Sequence, residues 1–317
     1  MVEDGDLLSS IYLATMRSFS LVALAAVTGC ALPAPPPPLA EFLVSAGDQT
    51  YWVQSDHLGV KIRGSPLILA RTGGRYYEVF VGEIDRSYPR ALFAAERVFR
   101  REISSGDSAV IFEDSTILAM AADYQRTHPR QTLLAPDQEP EEEIDVAAVG
   151  ETDVLNVLGP YVALEHRLSV GRAEGEDQED TTRAVVDIRS GKRVTLEQVL
   201  DDSTVKDAAG EGGLATRVWK HESYDVVSRY DSTRKSTSLL LLDRRGREWK
   251  LGTISSSFVQ IFWLDKPTVD AKTRSALAAA FDDATMYGGA IRQVMRKRQN
   301  GECAPPRSSV SASETRS

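Results

Sequence analysis

The chain has 317 residues, 42% hydrophobic and 26% charged, a composition that permits a sizeable core and about two domains of ordinary size. Its formal net charge is −9, and removal of residues 1–29 takes away one basic and three acidic side chains, leaving −7. So acidic a chain carries no electrostatic footprint for nucleic acid, although acidity alone selects no partner. Two cysteines are too few for zinc spacing, and no phosphate loop, dinucleotide fingerprint or Gly-x-Ser-x-Gly elbow is present, so neither a metal nor a cofactor is expected.

The N-terminus carries the strongest signal. From Met16 it runs Met-Arg-Ser-Phe-Ser, then Leu21-Val-Ala-Leu-Ala-Ala-Val27, then Thr28-Gly29-Cys30. A basic start, a short apolar run and small residues before a cut describe a secretory signal peptide over residues 1–29. The apolar run is too short for a spanning helix, which needs roughly 18 residues. Residues 2–6 are acidic where a basic region belongs, which points to Met16 as the true start. Val27-Thr28-Gly29-Cys30 resembles the lipobox of bacterial lipoproteins. That resemblance implies cleavage before Cys30, acylation of its thiol and attachment to membrane lipid. Ala31, rather than Asp, follows the cysteine and implies the outer membrane. A signal peptide cut elsewhere, or an anchor left uncut, is the alternative. With Cys30 acylated, Cys303 has no partner in the chain; otherwise a Cys30–Cys303 disulfide is open.

Pro33 and Pro35–Pro38 make residues 30–41 an extended tether. Residues 42–134 follow as a first α+β segment. Strands are predicted at Tyr51–Gln54, Val60–Arg63, Pro66–Ala70 and Arg75–Glu83, broken by Gly47, Gly59, Gly64 and Gly73-Gly74. Ser87 and Pro89 suit a helix start, and Leu92, Ala95, Phe99 and Ile103 would then share its inner face. Ala109–Phe112 reads as a short strand. Ser115 opens a helix to Thr127, with Leu118, Ala121 and Ala122 inward. The aromatic concentration of Trp52, Tyr76, Tyr77 and Phe80 is read as strand core rather than a stacking platform.

Residues 135–152 hold seven carboxylates and no Lys or Arg, the signature of a solvated linker. A calcium loop lacks the required spacing there. The second α+β segment spans 153–298. Val162, Leu164, His166, Leu168 and Val170 share one face of a long strand, and Ala184, Val186 and Ile188 repeat the alternation. Thr195 and Gln198 fit a capping box. Leu239–Leu242 and Trp249–Ile254 form a hairpin around Arg245-Gly246, and Phe258–Leu264 reads as a central strand. Asp270 caps a helix carrying Leu277, Ala280, Phe281 and Ala284. Gly288-Gly289 interrupts it before a short basic helix with Arg292, Arg296, Lys297 and Arg298. Residues 299–317 form a disordered polar tail.

Tyr161-Val-Ala-Leu-Glu-His-Arg-Leu-Ser169 and Thr182-Arg-Ala-Val-Val-Asp-Ile-Arg-Ser-Gly-Lys-Arg-Val-Thr-Leu-Glu-Gln-Val-Leu200 place residues 153–202 beside a known domain. They resemble the domain of unknown function shared by lysozyme-sensing anti-sigma factors and some peptidoglycan deacetylases. The resemblance implies a strand pair, a turn and a Leu-rich helix. It also implies an envelope setting with peptidoglycan or a lysozyme-like protein as partner. The Gly-Gly-Ala-His loop frequent in that family is replaced here by the acidic stretch 172–180.

His166 is the most interesting histidine, since it sits on an apolar strand face. A buried, hydrogen-bonded core role is expected, with ligand binding or catalysis as the sharper alternative. Ser232-Thr-Arg-Lys235 fits the Ser-x-x-Lys form of penicillin-binding enzymes, but its companion motifs are absent and a polar loop explains it better. The fold expectation is α+β, two strand-rich and mostly antiparallel domains with a few packed helices. The functional expectation is a membrane-anchored, non-catalytic binding or sensing module of the envelope. A cell-wall hydrolase or deacetylase, and a passive structural lipoprotein, are the alternatives.

Overall fold

A computed structural model describes residues 36–135, 138, 144–173, 177–213, 215–264 and 269–299, the side chains of 287–299 excepted. The signal segment with Met16, the lipobox Val27–Cys30, Cys303 and the tail from residue 300 lie outside the described residues. So do the side chains of Arg292, Arg296, Lys297 and Arg298, and residues 136–137 and 139–143 of the acidic run.

The first strands are β1 (Ala40–Ala46), β2 (Gln49–Asp56) and β3 (Gly59–Ser65), joined as consecutive hairpins. Next come β4 (Ile68–Thr72), β5 (Arg75–Asp85), β6 (Ala91–Glu102), β7 (Ser108–Glu113) and α1 (Ser115–Thr127). After the acidic run follow β8 (Val146–Leu158), β9 (Tyr161–Arg172), β10 (Gln178–Asp187) and β11 (Lys192–Val194). Two short helices, α2 (Leu196–Asp201) and α3 (Ser203–Ala209), precede β12 (Glu211–Gly212), β13 (Thr216–Lys220), β14 (Tyr224–Asp231), β15 (Ser236–Asp243) and β16 (Glu248–Ile254). The chain ends with β17 (Gln260–Trp263) and α4 (Ala271–Gln299).

These strands make three sheets, ordered β17-β1-β2-β3, β11-β10-β9-β8-β6-β5-β4 with β7 beside β6, and β12 to β16 in sequence. Every pairing is antiparallel except β6 with β8. The α+β, strand-rich character therefore holds. The division into segments 42–134 and 153–298 does not coincide with the sheets. Val146–Gly150 of the expected linker pair with Ala91–Ala95 of β6 in the first segment, and β17 of the second pairs with β1. The acidic run is also shorter than expected, because Val146–Thr152 enters β8, where Ala148, Gly150 and Thr152 are buried.

β1 and β17 of sheet one are covered on both faces, which explains their near-continuous apolar runs. Phe42 and Val44 pack toward Tyr224, Val226, Leu239 and Leu241 of sheet three. Leu43 and Trp52 turn the other way, against Leu67, Tyr76, Leu277 and Phe281. Burial of side chains such as Leu277 and Phe281 contributes about 1.5–3 kcal/mol each and fixes α4. β17 stands at the end of its sheet rather than at the centre, yet it is buried as a central strand would be. Its one polar residue, Gln260, is satisfied: Nε2 donates to the Val157 carbonyl at 2.7 Å and Oε1 accepts from the Gly159 amide at 3.2 Å.

Local signals were followed in some places and overridden in others. The capping box at Thr195 and Gln198 is formed in full, and Asp270 Oδ1 accepts from the Thr273 amide at 2.6 Å. The β15–β16 hairpin turns at Arg245-Gly246. The helix expected from Pro89 is instead β6. Its alternation of buried Ala91, Phe93 and Ala95 has the strand period, but Val98 is buried on the opposite face in a different core cluster, which disguises it. Three neighbours, β5, β7 and β8, hold that segment extended. Helix α1 is capped by Asp114 rather than Ser115, so Ile117, Ala121 and Tyr124 face inward and Ala122 is exposed. The backbone of α4 continues through Gly288-Gly289 without a break. Among the described residues no helix is long and apolar enough to cross a membrane.

Candidate functional site

Strands β8 and β9 are directly paired with Thr152 opposite His166, so alternate residues on both go to opposite faces. Gly150, Thr152, Leu164 and His166 turn inward, toward α1 and the core. Glu151, Asp153, Glu165 and Arg167 turn outward.

The inward face holds a three-residue relay. His166 Nε2 lies 2.9 Å from Asp114 Oδ2, and His166 Nδ1 lies 3.0 Å from Thr152 Oγ1. Asp114 is at the same time the N-cap of α1, its Oδ1 accepting from the Thr116 amide at 2.8 Å. Burial alone would raise the Asp114 carboxyl. The Thr116 amide, the His166 ring and the Thr116 hydroxyl outweigh it and hold the group below the ordinary carboxylate value. Phe112 packs on the imidazole with centroids 5.5 Å apart. Gly150 makes the approach possible: a Cβ there would stand 2.6 Å from Ile117 Cδ1 and 2.9 Å from His166 Cε1.

The order hydroxyl, imidazole, carboxylate is that of a nucleophile, base and orienting group. Its setting opposes catalysis. Thr152 is only 4% exposed, and its backbone amide, the natural donor to a developing oxyanion, is occupied by the Glu96 carboxylate. Glu96, Glu151 and Asp153 give the surroundings a negative field, which disfavours an anionic intermediate. The relay is a clamp that ties α1 to β8 and β9.

The outward face floors a groove of about 920 Å³. Its walls come from the β1–β2 turn, β5, β6, the β14–β15 turn and Ser255–Ser257 before β17. Ile68, Val81 and the partly exposed Leu155 add apolar surface beside the charge. Among the described lining residues, Asp48, Glu83, Glu96, Glu151, Asp153 and Glu165 outnumber Arg167 and Lys235, and Glu165 is also held by Arg183 at 2.8 Å from outside the lining. Arg167 pairs with Asp153, reaches Glu165 at 3.4 Å and Glu151 at 3.7 Å. Glu83 and Glu96 are directly opposed across β5 and β6, a like-charge pairing that a sheet disfavours. Burial pushes the Glu96 carboxyl up. The Thr152 amide pulls it back, and Glu151, Asp153 and Glu83 add to the rise.

The sequence candidates are thus separated. His166 is buried and hydrogen-bonded on both ring nitrogens, as a core histidine should be. Ser232 and Lys235 lie in the turn between β14 and β15, not on a helix, and Lys235 has a φ of +49°. Lys235 lines the groove and Ser232 does not. Trp52, Tyr76 and Tyr77 are buried, and Phe80 stacks on Phe99 at 5.2 Å. Asp114, Thr152, Gly150 and Glu96 were not singled out from sequence. The one available signal was Gly150, a glycine inside an alternating run. Among the described residues no cluster of His, Cys, Asp or Glu could hold a metal ion.

Residues 153–202 form the β9–β10 pair, a turn at Ser190-Gly191 and the capped helix α2, whose Leu196 and Leu200 are 64% and 59% exposed. No protein-family model matches the chain, and no curated protein matches it.

Proposed function

We propose that this protein is an exported, lipid-anchored binding module of the bacterial envelope, non-catalytic, whose groove receives a basic segment of a protein partner. The groove carries the reading. Its apolar lining offers contact area, and its carboxylates outnumber Arg167 and Lys235 even with Glu165 paired to Arg183, which favours Lys- or Arg-bearing ligands. The opposed pair Glu83 and Glu96 would be relieved by a cation placed between them. The lipobox pattern at Val27–Cys30 supports the anchor, with the outer membrane as its address, and the likeness of residues 153–202 makes a basic, lysozyme-like protein the first partner to test. A hydrolase or deacetylase reading has less support, since His166 and Asp114 do not line the groove and the Thr152 hydroxyl is buried against the imidazole.

The test is titration of the mature chain, Cys30 to Ser317, with lysozyme as a basic probe at several salt concentrations. Saturable binding that weakens with salt and falls at least tenfold in Glu151→Lys/Asp153→Lys is expected, since about 1.4 kcal/mol is a factor of ten. Binding that ignores both substitutions, or no binding to lysozyme or any other basic envelope protein, sinks the reading. Incorporation of labelled palmitate, lost in Cys30→Ser, tests the anchor separately.

A further inference from the structure

The end of sheet one where the tether joins the folded body carries the most exposed large apolar side chain among the described residues. β1 begins at Ala40, which pairs with Ser55 near the end of β2, and Ser55 Oγ donates to the Pro38 carbonyl. Only the turn residues His57 and Leu58 separate β2 from β3 at that same end. Leu58 is 91% exposed, and Leu39, immediately before β1, is 61% exposed. Nothing in the fold demands leucine at the turn. Its conformation is set by the Leu58 amide donating to Asp56 Oδ1 at 2.8 Å and by Gly59 at a φ of +138°. A polar residue would serve the turn equally well and would be better hydrated.

We propose that the β2–β3 hairpin tip, with Leu58 at its apex and Leu39 beside the tether, is a membrane-contact element that lays this end of the body on the bilayer surface. The proposal rests on the anchor at Cys30 and adds to it an orientation. Pro38 is eight positions on from Cys30, so even a fully extended chain spans at most roughly 29 Å. The tip is therefore held close to the lipid that the anchor enters, at a high effective concentration. Lys61 Nζ lies 4.0 Å from Asp56 Oδ2, so the nearest opposite charges are matched. The contact is apolar, takes neutral lipid as readily as anionic lipid, and is insensitive to salt. Its consequence is positional: with one end of sheet one on the membrane, the body sits at a defined angle to the bilayer instead of swinging freely.

The experiment supplies the anchor chemically, so that it reads the tip whether or not cells acylate Cys30. The mature chain carrying Cys303→Ser is coupled through Cys30 to a maleimide lipid in phosphatidylcholine vesicles, and Leu58→Trp reports its own depth by quenching from bromine-labelled acyl chains. Substitution at a side chain so exposed leaves the core untouched. Quenching well above that of the parent protein, unchanged by salt, is expected. With a single-chain maleimide anchor, which alone binds marginally, Leu58→Asp should weaken vesicle partition about tenfold. A coupled Leu58→Trp protein quenched no more than the parent, or a partition that ignores Leu58→Asp, overturns the proposal. Failure of palmitate labelling at Cys30 in cells would remove the anchor instead, and is a separate readout.

Discussion

The two faces of the β8–β9 pair carry polar side chains of the same kinds and put them to opposite uses. Inward, Asp114, His166 and Thr152 are desolvated and mutually satisfied. Outward, Glu83, Glu96, Glu151 and Asp153 crowd like charges around a groove, and Arg167 offsets only Glu151 and Asp153 among them. One face gains stability from its polar groups, while the other gives some up and gains a surface that attracts cations. Thr152 touches both, through its hydroxyl to the imidazole and through its amide to Glu96.

The largest effect belongs to the inward face. His166→Ala leaves the Asp114 carboxylate and the Thr152 hydroxyl buried without their partner, and should lower unfolding free energy by about 3 kcal/mol in urea titration. Glu151→Gln, one position from Thr152 but turned outward, should stay within about 0.5 kcal/mol of the parent. Equal effects at the two sites would erase the distinction between the faces. The relay also predicts an acid limb. Asp114 is held below its unfolded value of about 3.9, so its contribution is present above that value and is lost as pH falls through the lower folded value. Asp114→Asn should flatten that limb.

Next in size is Gly150→Ala, expected to cost about 1–3 kcal/mol because the new methyl meets Ile117 Cδ1 and His166 Cε1. Ile117→Val removes the first of those atoms. In a double-mutant cycle the pair should therefore cost less than the two single changes added together. Strict additivity would mean that the glycine is required for some reason other than space.

Much of the local structure was legible. Thr195 and Gln198 announce their helix because a capping box is a contact between residues three apart, and Asp270 does so for α4. The inward face of β9 followed from alternation, which also placed His166 in the core. What the sequence hides is long-range. Asp114 and His166 are 52 positions apart and meet only because β6 and β8 pair in parallel across the acidic run. The groove gathers separate short runs between Ala46 and Ser257, the longest Val149–Leu155, which only the fold brings together. In β6 burial changes face along the strand, from Ala91, Phe93 and Ala95 to Val98, which makes an alternating strand look like a helical stripe. Three partner strands outweigh any local preference there.

The smallest predicted change is the sharpest test of the contrast, because its sign is reversed. Glu96 titrates above its unfolded value of about 4.3, so the folded state holds the proton more tightly. Its contribution falls as pH rises between the unfolded and folded values, and at neutral pH the ionised group is a net burden. Glu96→Gln keeps an acceptor for the Thr152 amide and removes the charge. It should raise stability at pH 7 by about 0.5 kcal/mol, a small figure because Glu96 is only half-buried and solvent screens it. The same change should weaken lysozyme binding in the groove. A substitution that stabilises the fold while costing affinity marks a side chain retained for a ligand. If Glu96→Gln instead destabilised the protein as His166→Ala does, the groove carboxylates would belong to the scaffold, and the two faces would be one.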